Sequence, residues 1–145
     1  MYEQYSEKQL EDFLKKEIES EFPGWKPAIT FDPQYTYPAG MIVPEYSYVS
    51  VIGSPKDADR IVAVFAHELG HLEQRKLNIS INEPDAWLRG AKWAARWNVM
   101  DEYLEALERF ISTGPRAAEE FSRVYRFLQE LFEGVREGKY RVIEI

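Results

Sequence analysis

The sequence predicts a single α+β domain, in which an N-terminal helix precedes a small, mostly antiparallel sheet and then several helices. The chain has 145 residues, which is the size of one ordinary domain, so we treat residues 1–145 as one unit. Apolar residues recur at helical spacing near the N-terminus and again from residue 54, whereas β-branched and aromatic residues dominate residues 25–52. Strands grouped together and helices grouped together are typical of α+β proteins.

The first helix and the strands follow from local signals. Ser6 and Gln9 form a capping-box pattern that predicts a helix start, and the Pro and Gly of residues 22–25 predict its end. Three or four short strands are expected next, at residues 28–31, 35–37, 41–43 and 46–52. The prolines among them indicate edges and turns rather than a central strand.

The second half is predicted to be helical. One helix should start with Ser54 as N-cap and Pro55 at its first position, and run to about Lys76. Its apolar stripe consists of Ile61, Phe65, Leu69 and Leu72.

Three further helices are expected. One opens at residues 82–84, a third apolar series starts at Tyr103, and a long helix runs from residues 112–115 to about Gly134. The spacing of Trp87, Trp93 and Trp97 predicts core positions. Tyr140, Val142 and Ile143 are a candidate closing strand.

Composition excludes several classes of function. The formal net charge is −7 and no basic stripe exists, so neither nucleic acid nor membrane is an expected partner. The absence of cysteine excludes disulfides, cysteine nucleophiles and thiolate zinc sites. The N-terminus lacks a signal-peptide pattern and the longest apolar run is too short for a bilayer, so we expect a cytoplasmic protein.

Both histidines of the chain lie in the segment FAHELGHLE, residues 65–73. His67 and His71 are four residues apart, so they share one helix face and can hold one Zn²⁺ at about 2.0–2.1 Å. Glu68 borders the same face, where a general base can take a proton from a metal-activated water. Gly70 leaves space for a strand or a substrate beside the ligands. The alternative is a surface helix with two exposed or hydrogen-bonded histidines that bind no metal.

The third metal ligand must be a carboxylate, because no histidine remains to supply it. Glu83 and Asp85 are the candidates, since both lie where the next helix is predicted to begin. Pro84 favours a cap position for Glu83, which leaves Asp85 as an alternative ligand. Both carboxylates have a simpler interpretation as groups that stabilise the first turn of a helix.

From Phe65 to Trp87 the chain resembles the gluzincin metallopeptidases. In that group a glutamate at the start of the next helix, often within E-x-x-A, completes the H-E-x-x-H motif, and residues 83–86 match this form. The segment is also similar to the small ImmA/IrrE-type peptidases. The resemblance implies a minimal zincin-like fold, His67, His71 and Glu83 as zinc ligands, Glu68 as the catalytic residue, and a protein or peptide substrate.

Two further hypotheses concern substrate binding. Residues 46–52 are a candidate edge strand that pairs with an extended polypeptide, and Tyr46 or Tyr48 is a candidate donor to the oxyanion. The competing functions are a metallopeptidase-like metal-binding module that acts through protein contacts without hydrolysis, and a helical interaction protein with a fortuitous motif.

Overall fold

The predicted α+β layout is confirmed by a computed structural model that describes residues 1–114 and 118–141. Within those residues the chain forms five α-helices and three strands. In chain order these are α1 (Glu7–Ile18), β1 (Lys26–Phe31), β2 (Ala39–Val43), β3 (Tyr48–Gly53), α2 (Ala58–Lys76), α3 (Glu83–Arg96), α4 (Met100–Thr113) and α5 (Ala118–Arg136). No helix in the described part is long and apolar enough to cross a membrane.

Helix α1 begins as its sequence predicts. The Ser6 hydroxyl accepts a hydrogen bond from the Gln9 amide at 3.1 Å, and the Gln9 side chain accepts one from the Ser6 amide at 2.9 Å. This reciprocal arrangement is the capping box. The helix buries Leu10, Leu14 and Ile18 against the core.

The sheet is mixed, and its strand order is β1-β3-β2. Strand β1 runs parallel to β3, whereas β2 runs antiparallel to it. Strand β3 is therefore central, so the hypothesis that residues 46–52 form the substrate-binding edge strand is wrong. Residues 35–37 do not form a strand either, because they lie in an irregular connection bounded by Pro33 and Pro38, which cannot donate to a ladder.

The two edges of the sheet differ in their hydrogen bonding. On β1, Pro27 has no amide hydrogen, and the amides of Ile29 and Phe31 donate to the carboxylates of Glu11 and Glu7 at 2.8 and 2.6 Å. Helix α1 thus covers this edge. Among the described residues, hydrogen bonds to the backbone of β2 come from β3 alone. The outer edge of β2 is therefore open.

Helix α2 is the centre of the molecule and packs between the sheet and the helices α3 and α4. It is preceded by a short 3₁₀ turn, Pro55–Asp57, for which Ser54 is the N-cap residue. The Ser54 side chain makes no capping hydrogen bond, and the α-helix begins only at Ala58. The predicted stripe of Ile61, Phe65, Leu69 and Leu72 is buried, as expected.

Helices α2 and α3 cross at two glycines. A Cβ atom added to Gly70 would lie 2.0 Å from the Ala86 carbonyl oxygen, and one added to Gly90 would lie 2.5 Å from the Ala66 carbonyl oxygen. The neighbour of Gly70 is therefore the backbone of α3, not the strand or substrate that the sequence suggested. This contact sets the distance between the H-E-x-x-H helix and the next helix.

The remaining predictions concern the core and the C-terminal part. The three tryptophans that the sequence assigned to the core are at most 3% exposed: Trp87, Trp93 and Trp97. Tyr140 lies in a bend rather than a strand, whereas Val142 and Ile143 lie outside the described residues.

Candidate metal centre

Three side chains converge where α2 meets the start of α3. His67 Nε2 lies 3.2 Å from Glu83 Oε2, and His71 Nε2 lies 2.9 Å from Glu83 Oε1. One possible ligand atom from each of the three residues lies within 4.8 Å of the corresponding atoms of the other two. Each imidazole therefore faces one oxygen of the same carboxylate, which is the arrangement that a shared cation requires.

The start of α3 places Glu83 within reach of the histidines. The Asn82 side chain is the N-cap and accepts a hydrogen bond from the Asp85 amide at 2.8 Å. Glu83 is then the first residue of the helix and Pro84 the second, a position where the missing amide hydrogen costs nothing. The proline is thus compatible with Glu83 as a ligand.

Asp85 lies outside this cluster. Its carboxylate accepts hydrogen bonds from Arg89 Nε at 2.6 Å and from the Gln74 side-chain amide at 2.9 Å. Among the described residues, the hydrogen bonds that link it to the candidate ligands pass through Gln74. Of the two carboxylates that the sequence offered, Glu83 is the one that meets both histidines.

Gln74 orients His71. Its side chain is fully buried, and its amide nitrogen donates to the Asn82 carbonyl and to Asp85. The amide oxygen, 3.1 Å from His71 Nδ1, therefore accepts a hydrogen bond from that ring nitrogen. A proton on Nδ1 leaves Nε2 as the metal-binding atom. Sequence reasoning missed Gln74, although a polar residue three positions after His71 on the buried side was a usable signal.

His67 is held differently. Its ring stacks on the Trp87 indole with centroids 3.8 Å apart and an interplanar angle of 17°. Its Nδ1 atom is buried and makes no hydrogen bond to a described residue. Stacking on Trp87 therefore orients the His67 ring, whereas the His71 ring is oriented by the hydrogen bond that it donates to Gln74.

The cluster fits a metal ion by its donor set and by an unsatisfied atom. Glu83 Oε2 is buried, and its 3.2 Å contact with His67 Nε2 lacks the angle of a hydrogen bond, so no described residue hydrogen-bonds to it with good geometry. Such an atom costs about 1–3 kcal/mol unless a partner is present. Two imidazole nitrogens and one carboxylate oxygen are the ligands of catalytic zinc sites that retain an open position.

The two glutamates of the site differ in basicity. Burial raises the pKa of Glu68, and the nearby His67 and His71 only partly oppose this effect. Burial would also raise the pKa of Glu83, but its contacts with both histidines outweigh burial and hold that pKa far below the usual range. Glu83 is therefore the permanent anion, and Glu68 is the carboxylate that more readily takes a proton.

A groove runs past the cluster along β2. It consists of two cavities of about 290 and 330 Å³, both lined by Glu68 and Glu83. The first cavity also includes Ile42 of β2, and the second includes Gly40. A Cβ atom on Gly40 would lie 2.8 Å from Glu68 Cγ, so Glu68 lies directly against this strand. We refer to the two cavities together as the groove.

The tyrosines proposed as oxyanion donors lie elsewhere. Tyr46 is 70% exposed in the turn before β3, and neither it nor Tyr48 lines the groove. The groove tyrosine among the described residues is Tyr37, whose hydroxyl is buried and makes no hydrogen bond. Burial raises the pKa of Tyr37 to about 12. Sequence patterns did not single out Tyr37, because its position in the groove depends on the course of the connection between β1 and β2.

Comparison of the chain with protein family models, with curated proteins and with solved structures finds no match.

Proposed function

We propose that the protein is a zinc-dependent metallopeptidase of the gluzincin type that hydrolyses peptide bonds in a protein or peptide substrate. The observation that carries this proposal is the meeting of His67 Nε2, His71 Nε2 and the Glu83 carboxylate within 4.8 Å, with Glu68 beside them. This combines a candidate metal-binding group with a basic carboxylate where the two cavities of the groove meet. The absence of cysteine fits the cytoplasm as its location.

The chain supplies three kinds of group to the reaction. His67, His71 and Glu83 would hold a divalent ion, which supplies Lewis-acid activation of a water molecule and of the substrate carbonyl. The Glu68 carboxylate accepts the proton of the attacking water and delivers it to the leaving nitrogen. The raised pKa of Glu68 suits this role, since a carboxylate with an ordinary pKa is a weaker base.

The open edge of β2 supports a polypeptide as the substrate. Strand β2 lines both cavities of the groove through Gly40 and Ile42, so an extended chain in the groove runs along its free edge. Unpaired backbone groups on that edge can pair with the substrate backbone by β-augmentation. This role, which the sequence suggested for β3, is now proposed for β2.

The proposal is tested with Glu68→Gln, which keeps the size of the side chain and removes the base. The purified protein is stripped with a chelator, reloaded with zinc and incubated with a pooled library of random short peptides, and the products are identified by mass spectrometry. We expect about one zinc per chain in both proteins, and a loss of cleavage of about 100-fold or more in the variant.

Metal content provides the control. His67→Ala should lose both zinc and cleavage, whereas Glu68→Gln should lose cleavage alone. Cleavage that survives Glu68→Gln would refute the proposed mechanism. Zinc binding without any Glu68-dependent cleavage would favour the metal-binding module that acts through protein contacts, and failure to bind zinc would refute both.

A further inference from the structure

Each cavity of the groove includes one arginine. Arg75 of α2 lines the cavity that contains His71, and Arg109 of α4 lines the cavity that contains His67. Neither guanidinium makes an ion pair with a described residue. Most other arginines of the described part do so, namely Arg60, Arg89, Arg96, Arg123 and Arg136. Both side chains are exposed, so what distinguishes them from the unpaired Arg126 is that they line the groove.

A carboxylate close to Arg75 is already bound elsewhere. Glu21 and Arg75 line the same neighbouring cavity. The Glu21 carboxylate pairs instead with Lys92 at 3.3 Å and Arg96 at 3.6 Å. The Arg75 side chain is therefore available to a ligand in the groove.

At the other end of the groove, a carboxylate that could pair with Arg109 is also bound to another cation. Glu105 lies four residues before Arg109 on α4, which is the usual spacing for a helical ion pair. Its carboxylate pairs instead with Arg60 at 2.6 Å. The Arg109 guanidinium stacks on the Tyr37 ring at 4.5 Å from the centroid. This contact limits the movement of the Arg109 side chain and leaves its hydrogen-bond donors unused.

The spacing along α2 fits a peptide ligand. Glu68, His71 and Arg75 follow one another at three- and four-residue intervals, so they lie on one helix face. Glu68 and Arg75 are about 10 Å apart along the axis at a rise of about 1.5 Å per residue. An extended peptide spans that distance with about three residues. An acidic side chain two or three residues from the reacting bond would therefore reach Arg75.

We propose that the groove selects polypeptide segments with acidic side chains on both sides of the bond to be cut, and that Arg75 and Arg109 bind the two carboxylates. This inference rests on the proposed peptidase function and adds its substrate class. Both arginines are specificity-determining groups, and neither takes part in the chemical step. Arginine suits this role because its planar guanidinium binds a carboxylate through two parallel hydrogen bonds.

The first experiment maps cleavage sites in the random peptide library with the zinc-loaded protein. We expect Asp and Glu to be enriched on both sides of the cut bond, within about three residues. Arg75→Ala should remove the enrichment on one side only, and Arg109→Ala the enrichment on the other side. Arg126→Ala is the matched control, because Arg126 is exposed, makes no ion pair with a described residue and does not line the groove.

Cleavage without acidic enrichment would overturn the inference while leaving the proposed function intact. Enrichment that both arginine variants retain, or that Arg126→Ala removes, would also overturn it. Loss of enrichment confined to Arg75→Ala and Arg109→Ala would support it.

The second experiment separates recognition from hydrolysis. Zinc-loaded Glu68→Gln is titrated with a fluorescein-labelled peptide that carries Glu on both sides of a central apolar segment, and with its Gln counterpart. Fluorescence anisotropy should show that the Glu peptide binds more tightly than the Gln peptide, by about fivefold for each carboxylate. This difference in affinity should decrease at high salt. Equal affinity for the two peptides, or no binding of either, would overturn the inference. An arginine-dependent preference in a protein that cuts no peptide would refute the peptidase function alone.

Discussion

Gly70 packs directly against the Ala86 backbone where the H-E-x-x-H helix crosses the helix that begins with Glu83. A methyl group at position 70 would lie 2.0 Å from the Ala86 carbonyl oxygen, which is backbone and cannot move independently of α3. Because Glu83 is one helical turn before Ala86, the packing of these two residues controls the distance from Glu83 to the histidines.

We therefore expect Gly70→Ala to weaken zinc binding at least tenfold and to destabilise the fold by about 1–3 kcal/mol, because the added methyl forces α3 away from α2. A competition titration with a chromophoric chelator and a thermal melt measure the two effects. Leu10→Ala is the control, since it creates a cavity in the core on α1, a helix that carries none of the candidate ligands. It should lower the melting temperature and leave zinc affinity intact. Unchanged zinc affinity in Gly70→Ala would contradict the role of this crossing.

The two candidate third ligands are separated by isosteric substitutions. Glu83→Gln should weaken zinc binding by roughly 100-fold or more, since it removes an anionic ligand, whereas Asp85→Asn should cost about tenfold or less because Asp85 acts only through Gln74. The same chelator competition measures both. If Asp85→Asn weakened binding as strongly as Glu83→Gln, the assignment of Glu83 would be wrong.

Gln74→Met should lower zinc affinity by about 10- to 100-fold, because the replacement fills the same space and removes the hydrogen bond that orients His71. Leu69→Met is the matched control at a buried position of the same helix. Isothermal titration of the metal-free proteins with zinc gives the affinities. Equal affinity in the two variants would show that the His71 ring needs no support from Gln74.

Gly40→Val should reduce peptide cleavage by about 100-fold while zinc content stays near one per chain. The new side chain would occupy the space of the Glu68 side chain, whose Cγ lies 2.8 Å from the added Cβ position. Ala39→Val tests the neighbouring exposed position of the same strand and should have little effect. Zinc analysis and product quantification by mass spectrometry are the measurements. Full activity in Gly40→Val would place the catalytic carboxylate elsewhere.

The stability of the metal-free protein should depend on pH through His71 and Glu83. Burial would lower the pKa of His71, but its contacts with Glu83 outweigh burial and raise the pKa above 6.5. The contribution of His71 to the free energy of unfolding is therefore complete below pH 6.5 and is lost as pH rises through the folded-state pKa. The pKa of Glu83 is lowered below 4.5, so its contribution is present above pH 4.5 and is lost as pH falls.

The difference in melting temperature between the chelator-treated wild type and Glu83→Gln should therefore be largest between pH 4.5 and 6.5 and should shrink at higher pH. Added zinc should produce the reverse trend, because protons compete with the metal for its ligands. A difference that stays constant into the alkaline range would contradict this account.

Local patterns were sufficient to predict much of the fold. The capping box at Ser6, the apolar stripe of α2 and the tryptophans of α3 depend on residues near in sequence, so periodicity and capping rules predict them. The position of β3 at the centre of the sheet depends on β1 and β2 pairing to it, which no local pattern encodes. Residues 35–37 have strand-forming side chains, yet the flanking prolines prevent pairing.

The candidate site also has one part that the sequence predicts and another that depends on tertiary packing. The spacing of His67, Glu68 and His71 on one helix predicts their shared face directly. The contacts of Trp87 and Gly40 with the site depend on how the elements pack, so the sequence indicated neither contact and placed Trp87 only in the core. Gln74 lies three residues after His71 on the same helix, so this contact could have been predicted from spacing.

The carboxylates of Glu7 and Glu11 block strand addition at one edge of the sheet. Because they satisfy the amides of β1, the edge of the described sheet that can accept another strand, from a ligand or from a second molecule, is β2. Self-association through the described sheet would stop at a dimer. Pairing of the β2 edges of two molecules would leave no open edge for a third. This protein is thus protected against fibre formation on the flank farthest from its groove.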